Sequence, residues 1–235
     1  MATDAKSGLD LASYIDHTIL KPEATVREVE RVCQEAIKFG FKTVCVNASR
    51  IEYVAAMLKG HQTVPIAVVG FPLGAAASLA KATEAKEAIR LGAKEIDMVI
   101  NVGRLRDKEY KYVTDDIRQV VESSAPHPVK VILETCLLTE EEKVIACALS
   151  KAAGAAFVKT STGFSKSGAT VEDVALMRRV VGPDMGVKAS GGVRTRADAL
   201  KMITAGATRI GASKSAQIVS AGAKSEFSRS STSGY

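Results

Sequence analysis

Lys159 and Lys188 sit in two segments of one design, Phe157-Val158-Lys159-Thr160-Ser161 and Gly186-Val187-Lys188-Ala189-Ser190. Each is an apolar, strand-like run with a lysine near its carboxyl end. A small-residue turn follows, Ser161-Thr162-Gly163 or Ser190-Gly191-Gly192, and then a helix-start signal, which is the punctuation of a strand-to-helix junction. A lone strand lysine is usually surface decoration; two in a repeated context offer two amines to one site. An isolated lysine amine, with a pKa of about 10.4, is neutral in fewer than about one molecule in a thousand at pH 7 and cannot attack a carbonyl. A second ammonium about 5 Å away disfavours the charged form by roughly 3 kcal/mol at an effective dielectric near 20, more than about two pKa units. Partial desolvation adds to this.

A carboxylate belongs to the same constellation. In Glu95-Ile96-Asp97-Met98-Val99-Ile100-Asn101 the period of two puts Ile96, Met98 and Ile100 on one side and Glu95, Asp97, Val99 and Asn101 on the other. A carboxylate in an apolar run is costly unless paired. Asp97 therefore requires a partner, and Lys159 or Lys188 could reach it across a narrow barrel. A purely structural ion pair is one outcome. A neutral amine, a second cation and a proton-moving acid are also the parts that imine chemistry on a carbonyl needs.

These residues need elements to carry them. Eight short runs rich in Val and Ile recur: Tyr14 to Thr18, Thr43 to Asn47, Val64 to Val69, Glu95 to Asn101, Val129 to Glu134, Phe157 to Thr160, Gly186 to Ser190 and Arg209 to Ala212. Helical patterns lie between them, opened by Thr25 with Glu28, Thr139 with Glu142, Thr170 with Asp173 and Thr195 with Asp198 at capping-box spacing. Gly40, Gly92, Gly154 and Gly206 precede strands at expected left-handed helix ends. Strands alternating with helices imply right-handed crossovers and a parallel sheet. Eight units in this length suit a closed (β/α)₈ TIM barrel, α/β in class and a single domain, with a doubly wound open sheet as the alternative. The same parity aligns Asp16 with Thr18, Thr43 with Cys45 and Asn47, and Lys159 with Ser161, so the barrel axis is expected to be polar.

Composition narrows the chemistry. The 235 residues are 46% hydrophobic, enough for one large core. No apolar run approaches the ~18 residues of a membrane span, and the polar start lacks a secretory segment, so a cytoplasmic protein with no membrane partner is expected. Cys33, Cys45, Cys136 and Cys147 show no CxxC spacing and read as reduced thiols. His17, His61 and His127 are not spaced as metal ligands, which disfavours a zinc site. The net charge of +6 is interleaved with acids and not clustered, which argues against nucleic acid.

Phosphate in such barrels commonly sits at the loops after the seventh and eighth strands. Ser190-Gly191-Gly192-Val193-Arg194 and Gly211-Ala212-Ser213-Lys214-Ser215 occupy those positions, and Thr162-Gly163 is expected to close a third side. The substrate class implied is a phosphorylated carbonyl compound.

Five strings, Tyr14-Ile15-Asp16-His17-Thr18, Cys45-Val46-Asn47, Glu95 through Asn101, Val158-Lys159-Thr160-Ser161-Thr162-Gly163 and Val187 through Arg194, together resemble the 2-deoxyribose-5-phosphate aldolase family, class I enzymes that work through a lysine Schiff base. The resemblance runs from Tyr14 to Ser213. It implies reversible cleavage of 2-deoxy-D-ribose 5-phosphate to acetaldehyde and D-glyceraldehyde 3-phosphate, with neither metal nor cofactor. Lys159 is then the nucleophile, Lys188 the lysine that depresses its pKa, and Asp97 the proton carrier. Asp16, Thr18 and Cys45 correspond to pocket-lining positions, and Gly163, Gly191, Gly192, Gly211 and Ser213 to phosphate-binding loops. Lys214 departs from the serine many relatives carry there; it either adds charge toward the phosphate or points to solvent.

Residues 1–222 are expected to form the barrel, with residues 223–235 a flexible serine-rich tail. Tyr235 ends that tail; the resemblance allows it to enter the active site, and the other reading is a tail that only wanders in solvent. The family resemblance also allows a homodimer, although no patch in the sequence specifies one. Two other readings share these residues: a transaldolase-like class I barrel aldolase using a hydroxylated ketone donor, and a catalytically silent phosphosugar-binding barrel.

Overall fold

Eight parallel strands hydrogen-bond in sequence order and close on themselves, β8 pairing with β1, in the computed structural model, which describes residues 9–220. The elements run β1 (Ile15–Ile19), α1 (Val26–Phe39), β2 (Thr43–Asn47), α2 (Ile51–Met57), β3 (Val64–Val69), α3 (Ser78–Arg90), β4 (Glu95–Val99), α4 (Val102–Arg106), α5 (Tyr110–Ser124), β5 (Val129–Ile132), α6 (Glu140–Ala152), β6 (Phe157–Lys159), α7 (Val171–Val181), β7 (Gly186–Ser190), α8 (Arg196–Thr204) and β8 (Arg209–Ala212). The (β/α)₈ barrel expected from the alternation is the observed fold, and the open doubly wound sheet is ruled out by the β1–β8 ladder. The 222/223 boundary, the serine-rich tail and Tyr235 lie outside the described residues.

Local chemistry sets the helix ends. Thr25, Thr139 and Thr195 form reciprocal capping boxes with Glu28, Glu142 and Asp198. Thr170 caps α7 through the Asp173 amide alone. α1 ends at Gly40, whose φ of 68° is the left-handed conformation that glycine adopts without a Cβ clash.

Burial follows the two periods. α1 buries Val29, Val32, Cys33 and Ala36, a 3.6-residue stripe laid on the barrel wall. On β4, Ile96 and Met98 face outward into the layer between sheet and helices, where both are fully buried. Each such side chain contributes about 1.5–3 kcal/mol by leaving water. α3 and α5 are tied by a fully buried pair, Lys81 Nζ to Asp116 Oδ2 at 2.7 Å, and Lys81 also donates to the Val99 carbonyl at the end of β4.

Two strands stop two residues short of their expected ends, and β6 stops one short, at Lys159. β4 ends at Val99 because Asn101 turns to cap α4, its side chain accepting from the Arg104 amide. β5 ends at Ile132 because Glu134 adopts a left-handed φ of 54°. Both turns start loops that overlook the carboxyl face of the barrel. Among the described residues no helix is long and apolar enough to cross a membrane.

Candidate active site

Inward parity gathers charge along the barrel axis. Asp97 on β4 accepts at one oxygen, Oδ2, from both Lys159 Nζ on β6 (2.9 Å) and Lys188 Nζ on β7 (2.8 Å). The two contacts limit the separation of the amines to their sum, so the ε-nitrogens share one site. Lys188 also lies 2.6 Å from Asp16 Oδ2 on β1, and Thr43 donates to Asp16 Oδ1 at 2.7 Å.

A lower tier supports this one. Lys130 on β5 donates to Asp97 Oδ1 at 2.9 Å and to Glu95. Arg209 on β8 donates to Glu95 Oε1 at 2.8 Å and to Asp16. The cage thus holds three carboxylates, Asp16, Glu95 and Asp97, against four basic groups, Lys130, Lys159, Lys188 and Arg209. One positive charge is in excess. A site this buried expels the surplus most cheaply by releasing a proton.

Lys159 is the group placed to release it. Burial lowers its pKa most, Asp97 opposes that, and the Lys188 ammonium lowers it further, for a net shift below the ordinary lysine value. The sequence argument ranks the neighbouring cation first; in the structure desolvation leads. Lys188 goes the other way. Burial disfavours its charge, but Asp16 and Asp97 outweigh that and hold it protonated. Burial likewise works against ionised Asp97, yet Lys130, Lys159 and Lys188 keep it well below the usual carboxylate range. At rest the arrangement can therefore present one neutral amine beside an ammonium and a carboxylate.

Lys159 opens into a cavity of about 340 Å³ on the carboxyl face of the barrel. Thr18, Gly163, Gly191, Gly192, Gly211 and Ser213 line it. Asp16, Asp97 and Lys188 lie beneath its floor and are fully buried. Cys45 is also fully buried, inside a small apolar cluster with Leu20, Ile66 and Val68 that Phe71 covers. Burial, then Asp97, push its thiol up to about 11, so it remains protonated at neutral pH. Lys214 is exposed and borders the cavity, as do Lys21 and Arg194. Three cations around one rim suit an anion.

The loops approach closely because glycine allows it. Gly191 has φ 79°, and a Cβ there would stand 2.9 Å from Gly168 Cα. A different device fixes the loop after β6: the buried Glu134 carboxylate accepts from the Thr162 hydroxyl and amide, and Thr162 Oγ1 accepts from the Phe164 amide. Phe164 then packs edge-on against Phe71 at 5.3 Å beside the cavity.

Comparison with known proteins agrees with this geometry. A sequence profile of the DeoC/LacD family aldolases matches residues 11–225. The chain belongs to that family. The deoxyribose-phosphate aldolase of Clostridium perfringens strain SM101 is 59% identical over 209 residues, 88% of this chain and 93% of that protein. The deoxyribose-phosphate aldolase of Macrococcus caseolyticus is 56% identical over 211 residues, 90% of this chain and 96% of that one. Among solved structures, the tetrameric deoxyribose phosphate aldolase of Aeropyrum pernix superposes with a TM-score of 0.82 at 32% identity, covering 90% of both chains. For this DeoC/LacD member, Lys130, Glu95 and Arg209 are site residues that the sequence reading leaves unassigned.

Proposed function

We propose that this family member is a deoxyribose-phosphate aldolase, cleaving 2-deoxy-D-ribose 5-phosphate reversibly to acetaldehyde and D-glyceraldehyde 3-phosphate. The observation that carries the reading is the sharing of one Asp97 oxygen by Lys159 and Lys188 under a cation-rimmed cavity. The naming of relatives more than half identical over nearly their whole length supports the substrate.

In the cleavage direction the neutral Lys159 amine adds to the C1 carbonyl of the open-chain sugar, and loss of water gives a protonated imine. That imine is an electron sink. The C3 hydroxyl loses its proton, the C2–C3 bond breaks, and its electron pair moves into an enamine while C3 leaves as the aldehyde of D-glyceraldehyde 3-phosphate. Proton return to C2 and hydrolysis of the imine release acetaldehyde. Asp97 carries the protons, directly or through water, and Lys188 keeps Lys159 from recapturing one at rest. Thr18 lines the pocket while Asp16 and Cys45, expected there, lie buried outside its lining, and Gly163, Gly191, Gly192, Gly211 and Ser213 receive the phosphate through backbone N–H groups and the serine hydroxyl.

Borohydride reduction in the presence of acetaldehyde tests the reading. A two-carbon adduct is expected on Lys159, absent in Lys159→Ala together with turnover. An unlabelled Lys159 peptide in the wild type would leave a phosphosugar-binding barrel, and preference for dihydroxyacetone over acetaldehyde would shift the reading to a transaldolase-like enzyme. We further propose that the protein is a homodimer and acts in the cytoplasm; light scattering distinguishes a dimer from a tetramer.

A further inference from the structure

His17 alternates with Asp16 on β1 and so points away from the cavity, into the layer beneath α1, where it is 1% exposed. Its Nδ1 lies 2.9 Å from Ser215 Oγ, and its Nε2 lies 2.8 Å from Glu35 Oε2 on α1. Phe41 packs edge-on to the ring at 5.2 Å, and Arg31 on α1 bridges to Glu35 at 3.2 Å. Serine, histidine and carboxylate in one chain of hydrogen bonds have the connectivity of a hydrolytic triad. Ser215 is fully buried, however, and no substrate carbonyl can reach its oxygen. The chain is a holding device.

What it holds is the far wall of the site. Ser215 Oγ also stands 2.9 Å from the Ala212 carbonyl at the end of β8, and Ala212, Ser213 and Lys214 all border the cavity. A count of hydrogens fixes the direction of each bond. The Glu35 carboxylate only accepts, so Nε2 carries a hydrogen; a neutral ring then has only a lone pair at Nδ1, and the Ser215 hydroxyl must donate to it. The single hydroxyl hydrogen has two acceptors within reach, Nδ1 and the Ala212 carbonyl, so Ser215 Oγ joins β1 to the end of β8, and α1, β1 and the turn after β8 form one hydrogen-bonded unit. Burial, which lowers the proton affinity of His17 against the opposing pull of Glu35, favours that neutral state.

We propose that His17 is a positioning residue for the anion side of the cavity: through Nδ1 it fixes Ser215, and Ser215 fixes the turn Ala212–Lys214 against the substrate phosphate. The proposal rests on the aldolase reading above for the nature of the anion. It assigns a role to a face of β1 that the chemistry itself does not touch.

Asparagine and glutamine separate the two ends of the ring, because the shorter amide introduced by His17→Asn can reach the Nδ1 position and the longer one introduced by His17→Gln only the Nε2 position. Three measurements are made on the full-length protein: affinity for inorganic phosphate by calorimetry, KM for D-glyceraldehyde 3-phosphate, and the rate of acetaldehyde trapping at Lys159. His17→Gln and Ser215→Ala should weaken phosphate and raise that KM by about tenfold, the loss expected for one buried hydrogen bond, while acetaldehyde trapping is unchanged. His17→Asn should stay near wild type. Equal phosphate affinity in His17→Asn and His17→Gln, or a parallel loss of phosphate binding and acetaldehyde trapping, overturns the proposal. If the His17 variants fail to fold, Ser215→Ala decides alone, and wild-type phosphate affinity in it sinks the idea. Absence of an acetaldehyde adduct in the wild type is a separate result, against the aldolase reading, and the phosphate titration still decides the role of His17.

Discussion

Gly211 leaves room for Lys188: a Cβ built on Gly211 would stand 3.0 Å from Lys188 Cε and 2.2 Å from Ser190 Oγ. The glycine on β8 therefore sets where the Lys188 ammonium can lie, quite apart from any contact with phosphate. Gly211→Ala should push Lys188 off Asp97 and lower kcat by about a hundredfold, the usual scale for displacing a positioned group by about 1 Å. Circular dichroism should remain that of the wild type. Near-wild-type turnover would show that the cage tolerates the shift.

The Lys188 ammonium is one of the two influences that depress Lys159, so its removal has a definite sign. Lys188→Leu should raise the apparent pKa of imine formation, because the ammonium that opposes protonation of Lys159 is gone. Because the neutral amine is the reactive form, the rising limb of the pH–rate profile moves to higher pH and activity near neutrality collapses. An unshifted profile removes Lys188 from the activation of Lys159.

Stability should have two edges set by the same cage. Asp16 and Asp97 have pKa values held below the ordinary 3.8, so their contribution is complete above that value and is lost as pH falls toward the lowered ones. Lys188 is raised above 10.5, so its contribution is complete below that value and is lost as pH climbs toward the raised one. Urea midpoints measured across pH should fall outside these limits and, between them, rise toward alkaline pH as unfolding returns a proton to Lys159, whose native pKa is lowered. Asp97→Asn should soften the acid edge, and an unchanged acid edge in that variant would place the dependence elsewhere.

Lys130 holds Asp97 and Glu95 from below without reaching the cavity. Lys130→Met leaves two buried carboxylates short of a partner, which costs about 3–5 kcal/mol. Both Tm and the urea midpoint should drop accordingly. A loss under about 1 kcal/mol would mean that water or Arg209 satisfies the vacated oxygens.

Much of this site is legible in the sequence because a strand has only two faces. Once Asp97 is placed inward, Lys159, Lys188, Asp16 and Cys45 follow by parity, and the structure puts all of them on the axis. Lys130 and Arg209 obey the same rule, Lys130 level with Asp97 and Arg209 level with Lys188. They escape a reading of the sequence because a cation on a short strand ordinarily snorkels to solvent, and only register reveals that these two have acids beside them. Glu134 escapes it for a different reason. Its contact with Thr162 depends on a left-handed turn at a residue other than glycine, which no propensity predicts.

The closing of β8 onto β1 has a chemical consequence. Arg209, near the end of the described chain, neutralises Asp16, near its beginning, and Lys188 needs both Asp16 and Asp97 to keep its proton. In a chain that lacks its last strand, Lys159 is an ordinary lysine, almost wholly protonated at neutral pH. The activated amine is therefore a product of ring closure and not of the β6 segment alone.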